Sequence, residues 1–289
     1  MDYTHPEYLI AATALNDKLN DPNLRIFDAA VFLTPKPGGG YQVDSGFEKY
    51  SEGHIPGAGF IDLAQAWSNT DSSLNFTLPT TQQLADSIGA SGIGADNEVV
   101  LYSSGHLMWA TRAWWLLHYA GHTNIAILNG NLRAWQSAGL ALETGAQAYA
   151  ATTFKPQTKP QSFVDTAEVE AGMHGGVCTV NALTQALYEG AGDFFYGRPG
   201  HIPGSLPLYF DSILDSEHLL PADALAEQLE SQGMLSAERV ITYCGGGIAA
   251  TLDAFACKLL GQDNVGVYDG SMSEWVQDDD RPLTVGANP

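Results

Sequence analysis

The stretch VITYCGGGIAAT at 240–251 sets one cysteine, Cys244, between a short apolar run and three consecutive glycines. Small residues suited to opening a helix follow. Glycines let backbone N–H groups turn inward as a cradle for an anion. Here the anion is either a phosphate or the sulfur of the cysteine itself. A dinucleotide-binding turn needs spaced glycines, and a phosphate loop needs Lys and Ser/Thr after its last glycine. In this chain the glycines are contiguous and Ile-Ala-Ala-Thr comes next. A cysteine phosphatase would grip its dianion with an arginine at the end of the loop, where Ala250 stands. Phosphate chemistry is therefore excluded.

Sulfur chemistry makes use of every residue in the stretch. A thiolate at a helix N-terminus is favoured by the positive end of the dipole and by unpaired N–H donors. The amides of Gly245, Gly246, Gly247, Ile248 and Ala249 could then hold the Sγ of Cys244 or a second sulfur bound to it, as a persulfide. The loop also fits a buried structural cysteine at a strand end, so the rest of the chain has to decide. Two other cysteines show that pattern: Cys257 lies mid-helix among Phe255, Leu259 and Leu260, and Cys178 in a strand-like GGVCTVNAL. Three cysteines, without a CxxC pair or zinc-ligand spacing, point to thiols acting singly in a reducing, cytoplasmic setting. Neither a metal nor a cofactor is expected.

Composition narrows the partners. Hydrophobic residues make up 45% and charged residues 16%, as in a globular protein, and the acidic N-terminal stretch lacks the pattern of a secretory signal. No apolar run is long enough to span a bilayer. Thirty-three acidic residues against 12 basic ones give a net charge of −21, a field that opposes nucleic acid and anionic lipid alike. Small anionic substrates are repelled too, unless local donors hold them.

The elements that must position Cys244 occur twice. EGHIPGAGFIDL at 52–63 is echoed by PGHIPGSLPLYF at 199–210, EVVLYSSG at 98–105 by RVITYCGG at 239–246, and GHTNIAILNGNLRAW at 121–135 by GQDNVGVYDGSMSEW at 261–275. Three echoes in one order mean two copies of one domain. The expected division is a first domain over 1–143, a linker over 144–163 rich in Ala, Thr, Gln and Pro, and a second domain over 164–289. LRIFDAAVFL, VVLYS, NIAIL, VITY and VGVYD read as buried strands, with helices near 80–90, 109–120, 222–232 and 248–260. This alternation predicts an α/β fold, each copy a parallel sheet with helices on both faces. Ligands in such folds gather where strand C-ends meet helix N-termini, and Cys244 falls at that junction.

Tandem copies, GHIPG in each, a six-residue loop opening on a cysteine only in the second, and YDGSMSEW after it resemble the two-domain rhodanese family of thiosulfate and 3-mercaptopyruvate sulfurtransferases. The resemblance runs from about Leu24 to Trp275. CGGGIA is closer to the mercaptopyruvate-type loop, C-G-[ST]-G-V-T, than to the thiosulfate type with its basic residues. It implies two tandem rhodanese-like domains and a sulfur relay. Cys244 takes sulfur from a small-molecule donor, holds it as a persulfide, and yields it to a thiol such as thioredoxin or to cyanide. The first copy has Ser103 where the second has Cys244, so it is expected to be inactive.

The departures bear on the donor. Where the family carries Asp-Ser-Arg, with the arginine binding the substrate anion, this chain reads Asn181-Ala182-Leu183. A second family arginine aligns with Leu187, and the hydroxyl residue of the mercaptopyruvate loop is Gly246. Arg198 is the nearby basic residue that could substitute. The resemblance also brings His54 and, about one residue out of register, Asp44 towards the cleft. His54 and His201 equally fit turn residues whose rings hydrogen-bond to backbone. Two other readings stay open beside the sulfurtransferase: a persulfide carrier with an atypical donor, and a non-catalytic rhodanese-type binding or sulfur-sensing protein.

Overall fold

Alternate residues of the strand Glu98–Tyr102 enter different cores. Val99 and Leu101 join a large cluster with Trp114, Leu117 and Ile125, while Val100 and Tyr102 face Leu15, Leu132 and Trp135. A strand buried on both sides reads as a continuous apolar run, and it requires cover on both faces of its sheet. The helices Ala12–Asp17 and Asn131–Ser137 cover one face, and Leu107–Ala120 the other.

The computed structural model describes residues 1–36, 40–191 and 196–289. Its first sheet orders five parallel strands as Leu9–Ile10, Ile125–Leu128, Glu98–Tyr102, Leu24–Asp28 and Gly59–Phe60. A second sheet repeats the order with Phe163–Val164, Val265–Tyr268, Val240–Tyr243, Cys178–Asn181 and Leu206–Pro207, again all parallel. The repeat seen in the sequence is thus a repeat of topology. Between the sheets, residues 144–159 contain no helix or strand but lie tied to the first one. Thr152 N–H donates to Gly89 O, Gln157 N–H to Ala120 O, and Tyr149 Oη–H to Gly57 O.

One expected strand divides. LRIFDAAVFL ends as a sheet strand at Asp28, whose Oδ1 accepts from Ala30 N–H at 2.9 Å and turns the chain. Val31–Pro35 then pairs antiparallel with Tyr41–Ser45 as a hairpin outside the sheet, which explains why its residues are only partly buried. The expected helices form as Thr81–Ala90, Leu107–Ala120, Ala222–Glu230 and Ala250–Leu259. Among the described residues, no helix is long and apolar enough to cross a membrane.

The two halves pack through equivalent helices. Leu107–Ala120 lies against Ala250–Leu259, where Thr111 Oγ1 and Thr251 Oγ1 meet at 2.8 Å and Phe255 sets its ring edge against Trp114. The carboxylate of Asp269 accepts from Leu78 N–H, and its counterpart in the first copy, Asn129, accepts from Leu219 N–H. Each half therefore reaches into the other from the same point of its own fold.

Candidate active site

The strand Val240–Tyr243 delivers Cys244 to the floor of the groove between the halves, with 3% of its surface exposed. Its own N–H donates to Ser271 Oγ at 3.0 Å, and Ser271 in turn donates to Tyr268 O at 2.7 Å. Cys244 O and Gly245 O accept from Met272 N–H and Ser273 N–H. The segment YDGSMSEW thus clamps the start of the loop. Ser271 has φ +49°, a left-handed conformation shared by Asn131, which receives Ser103 N–H in the first copy at 2.9 Å.

Beyond that clamp the amides of the two loops differ. In the first copy Ser104 N–H donates to Asp28 Oδ1, Gly105 N–H to Ser103 Oγ, and Met108 N–H to His106 Nδ1. In the second, the amides from Gly245 to Ala249 donate to no acceptor among the described residues. Four of those residues, Gly245, Gly246, Ile248 and Ala249, line the groove. Buried donors without acceptors cost free energy unless something arrives to accept from them.

Each glycine of the loop has its own reason. Gly247 sits at φ +73°, with the carbonyl of Asp269 at 2.4 Å from where a Cβ would be. The ring of Tyr196 packs on Gly245 and leaves no room for a side chain. Gly246 faces open space. Burial, then the neighbouring Cys244 and Tyr41, push the Tyr196 hydroxyl well above its ordinary pKa, so it remains a neutral O–H beside the sulfur.

The loop is braced from the other half. Arg112, in Leu107–Ala120, donates to Gly247 O at 3.2 Å and to Phe76 O, and pairs with Asp269 at 2.8 Å. The remaining thiols are set apart. Cys178 donates to Gln232 O, and burial with nearby Glu230 pushes its pKa up to about 11. Cys257 is fully buried in Ala250–Leu259, and desolvation pushes its thiol well above its ordinary pKa.

The groove over Cys244 has a volume of about 480 Å³. Leu33 and Val43 of the hairpin and Met108 form one wall, Leu183, Leu187 and Phe210 the other. None of its described lining residues carries a formal charge. Arg198, His54, His201 and Asp44, all singled out in the sequence, lie outside it. Arg198 sits behind Leu183 and Leu187, beside a void of about 10 Å³, and its guanidinium donates to Asp278 O and Arg281 O. His54 is fully buried in its own half. Its Nδ1 donates to Tyr50 O at 3.0 Å and its ring stacks on Tyr50. His201 repeats this arrangement with Tyr188. Asp44 is exposed on the hairpin, accepting from Gln42, because strand alternation turns its neighbour Val43 inward instead.

A model of the rhodanese-like domain matches residues 11–138 and again 182–278. The chain belongs to the rhodanese family. Among relatives of this rhodanese, a Pseudomonas aeruginosa protein named "Probable 3-mercaptopyruvate sulfurtransferase" is 33% identical, with 96% of this chain and 98% of the relative covered. The 3-mercaptopyruvate sulfurtransferase of Escherichia coli K12 is 31% identical over 96% of this chain and 97% of its own. The crystal structure of SseA from Escherichia coli, described as a 3-mercaptopyruvate sulfotransferase of rhodanese fold, superposes with a TM-score of 0.80 at 30% identity. It covers 91% of this chain and 98% of that one.

Sequence reasoning missed Arg112, Tyr196, Ser271 and the hairpin wall. Two of these left a trace. An arginine inside the apolar run LMWATRAWWLLHYA must find partners if that helix is buried, and Ser271 occupies the repeat position of Asn131. Tyr196 and the hairpin left none, because only the tertiary fold brings them to the cysteine.

Proposed function

We propose that this rhodanese transfers sulfane sulfur, with Cys244 as the carrier. The observation behind this reading is the contrast between the two loops: the amides of Ser104, Gly105 and Met108 are satisfied internally in the first copy, whereas those from Gly245 to Ala249 have no acceptor among the described residues in the second. Cys244 Sγ, as thiolate, attacks the outer sulfur of a small-molecule donor. The donor's bond to that sulfur breaks, its electron pair departs with the leaving group, and a Cys244 persulfide remains. Amides from Gly245 to Ala249 stabilise the negative charge on the outer sulfur, as preorganised donors do for an oxyanion. A thiol or cyanide then attacks that sulfur and restores the Cys244 thiolate, a two-step exchange through a covalent intermediate.

The first copy holds Ser103 at the equivalent point, fully buried, and serves as a wall and a brace. All three cysteines are unpaired, which suits work in the cytoplasm. Intact-mass measurement after incubation with sulfur donors tests the reading. A gain of one sulfur atom, removed by cyanide and absent in Cys244→Ala, is expected. Its absence with every donor would leave a rhodanese that binds without transferring.

A further inference from the structure

The chemistry of the groove narrows the donor. Its two walls are aliphatic, sulfur-containing or aromatic, and its described lining has no charged side chain. Polar groups on the lining are partly committed already: Thr184 Oγ1 caps the helix Gln185–Tyr188, and Tyr209 Oη–H donates to Asp211. Arg112, the cation that touches the loop, is buried against Asp269, Gly247 O and Phe76 O and does not reach the groove. A carboxylate or sulfonate entering here would lose its hydration without gaining a charged partner. It would also approach against the field of a chain of net charge −21. The place prepared for negative charge is the set of amides beside Cys244. About 480 Å³ is the size of a site for a whole organic ligand, far more than a small inorganic anion fills.

Resting on the sulfur-transfer reading, we propose that the donor selected by this groove is the hydropersulfide of an apolar thiol, R–S–SH with R an uncharged alkyl or aryl group. R lies among Leu183, Leu187, Met108 and Phe210, and the terminal sulfur meets the loop amides. Cys244 thiolate attacks that terminal sulfur. The new S–S bond forms as the donor's S–S bond breaks, and R–S⁻ leaves with the electron pair and takes a proton from solvent. The proton on the terminal sulfur stays with it, so the exchange involves no net oxidation.

The test compares four probes on the full chain: benzyl hydropersulfide, glutathione hydropersulfide, thiosulfate and 3-mercaptopyruvate. Loading of Cys244 is followed by intact mass, and each donor's rate is divided by its rate with a free thiol to remove intrinsic reactivity. Benzyl hydropersulfide is expected to load about tenfold or more faster than each anionic donor. Its rate should be insensitive to salt, whereas theirs should rise as salt screens the protein's charge. Leu183→Arg and Leu187→Arg, checked for folding by circular dichroism, should shrink or reverse that preference. An anionic donor loading as fast as the benzyl compound would overturn the proposal, as would a preference unchanged in both folded variants. Loading by anionic donors alone defeats the donor assignment and leaves sulfur transfer standing; loading by none defeats both.

Discussion

Arg112 Nη1 lies 2.8 Å from Asp269 Oδ1, across the boundary between the two halves of the chain. The guanidinium is 1% exposed and also donates to Gly247 O, so one side chain joins the halves and fixes the far side of the cysteine loop. Removing one partner of a buried pair leaves the other charge without compensation. Arg112→Leu should cost about 3 kcal/mol or more in urea unfolding. Arg112→Lys keeps the charge but loses the fork that serves two acceptors at once, and should recover only part of that stability. In the surviving folded fraction of either variant, sulfur loading of Cys244 should be slower than in the wild type.

The glycines of the loop differ in what they tolerate. Gly247→Ala places a Cβ in a left-handed backbone and against the Asp269 carbonyl, and should destabilise by about 2 kcal/mol or more. Gly246→Ala meets nothing within 4 Å and should leave stability within about 0.5 kcal/mol of the wild type. Its methyl group instead enters the groove, so its effect should appear in the KM for the donor. Thermal melts of the two variants, side by side, check the contrast.

Asp28 gives the stability of the first half a pH dependence. Burial pushes its carboxyl up to about 6 from an ordinary 3.8, and Oδ2 has no hydrogen-bond partner among the described residues. A group raised in the folded state contributes stability that is full below its ordinary value and lost as pH rises through about 6. Asn181 fills the equivalent site in the second half and accepts from Leu183 N–H just as Asp28 accepts from Ala30 N–H. Asp28→Asn should therefore raise stability near neutral pH by on the order of 2 kcal/mol, with the gain vanishing below about pH 4. Melting curves across that range would show the two proteins converging in acid.

The interface carries a second, opposite pH signal. Asp211 accepts from His106 Nε2 at 2.7 Å and from Tyr209 Oη–H, and the His106 contact leads in holding its pKa below the usual carboxylate range. A depressed carboxylate contributes stability that is present above its ordinary value of 3.8 and lost as pH falls through the lower folded value. The pair is partly exposed, so its contribution is modest. Asp211→Asn should lower the melting temperature slightly near neutral pH and have no effect at the acid limit.

How far the sequence spoke depended on the range of the interaction. Repeated strands such as Glu98–Tyr102 and Val240–Tyr243 were legible because two-sided burial writes itself as an apolar run. The junction holding Cys244 was legible because strand, glycines and helix are contiguous. His54 illustrates the limit. Its type and motif suited a cleft residue, but its ring is absorbed by Tyr50 four positions earlier, a local contact that sequence alone could not rank above the other. The hairpin wall was illegible because Asp28 turns a chain that reads as one continuous strand.

The first copy, which has Ser103 in place of a loop cysteine, offers the sharpest control on the role of the loop. Ser103 is fully buried, its Oγ accepts from Gly105 N–H, and the amide of Ser104 is taken by the Asp28 carboxylate. A sulfur placed there would inherit the Gly105 N–H but find the amides of Ser104 and Met108 held by Asp28 and His106, with a carboxylate beside it. Ser103→Cys in a Cys244→Ala background should consequently fold but gain no cyanide-labile sulfur from any donor that loads the wild type. If a cysteine at the start of any such loop were sufficient, this variant would load. Persulfide formation on the introduced thiol would place the origin of the chemistry in the thiol alone and remove the amides of Gly245 to Ala249 from the mechanism.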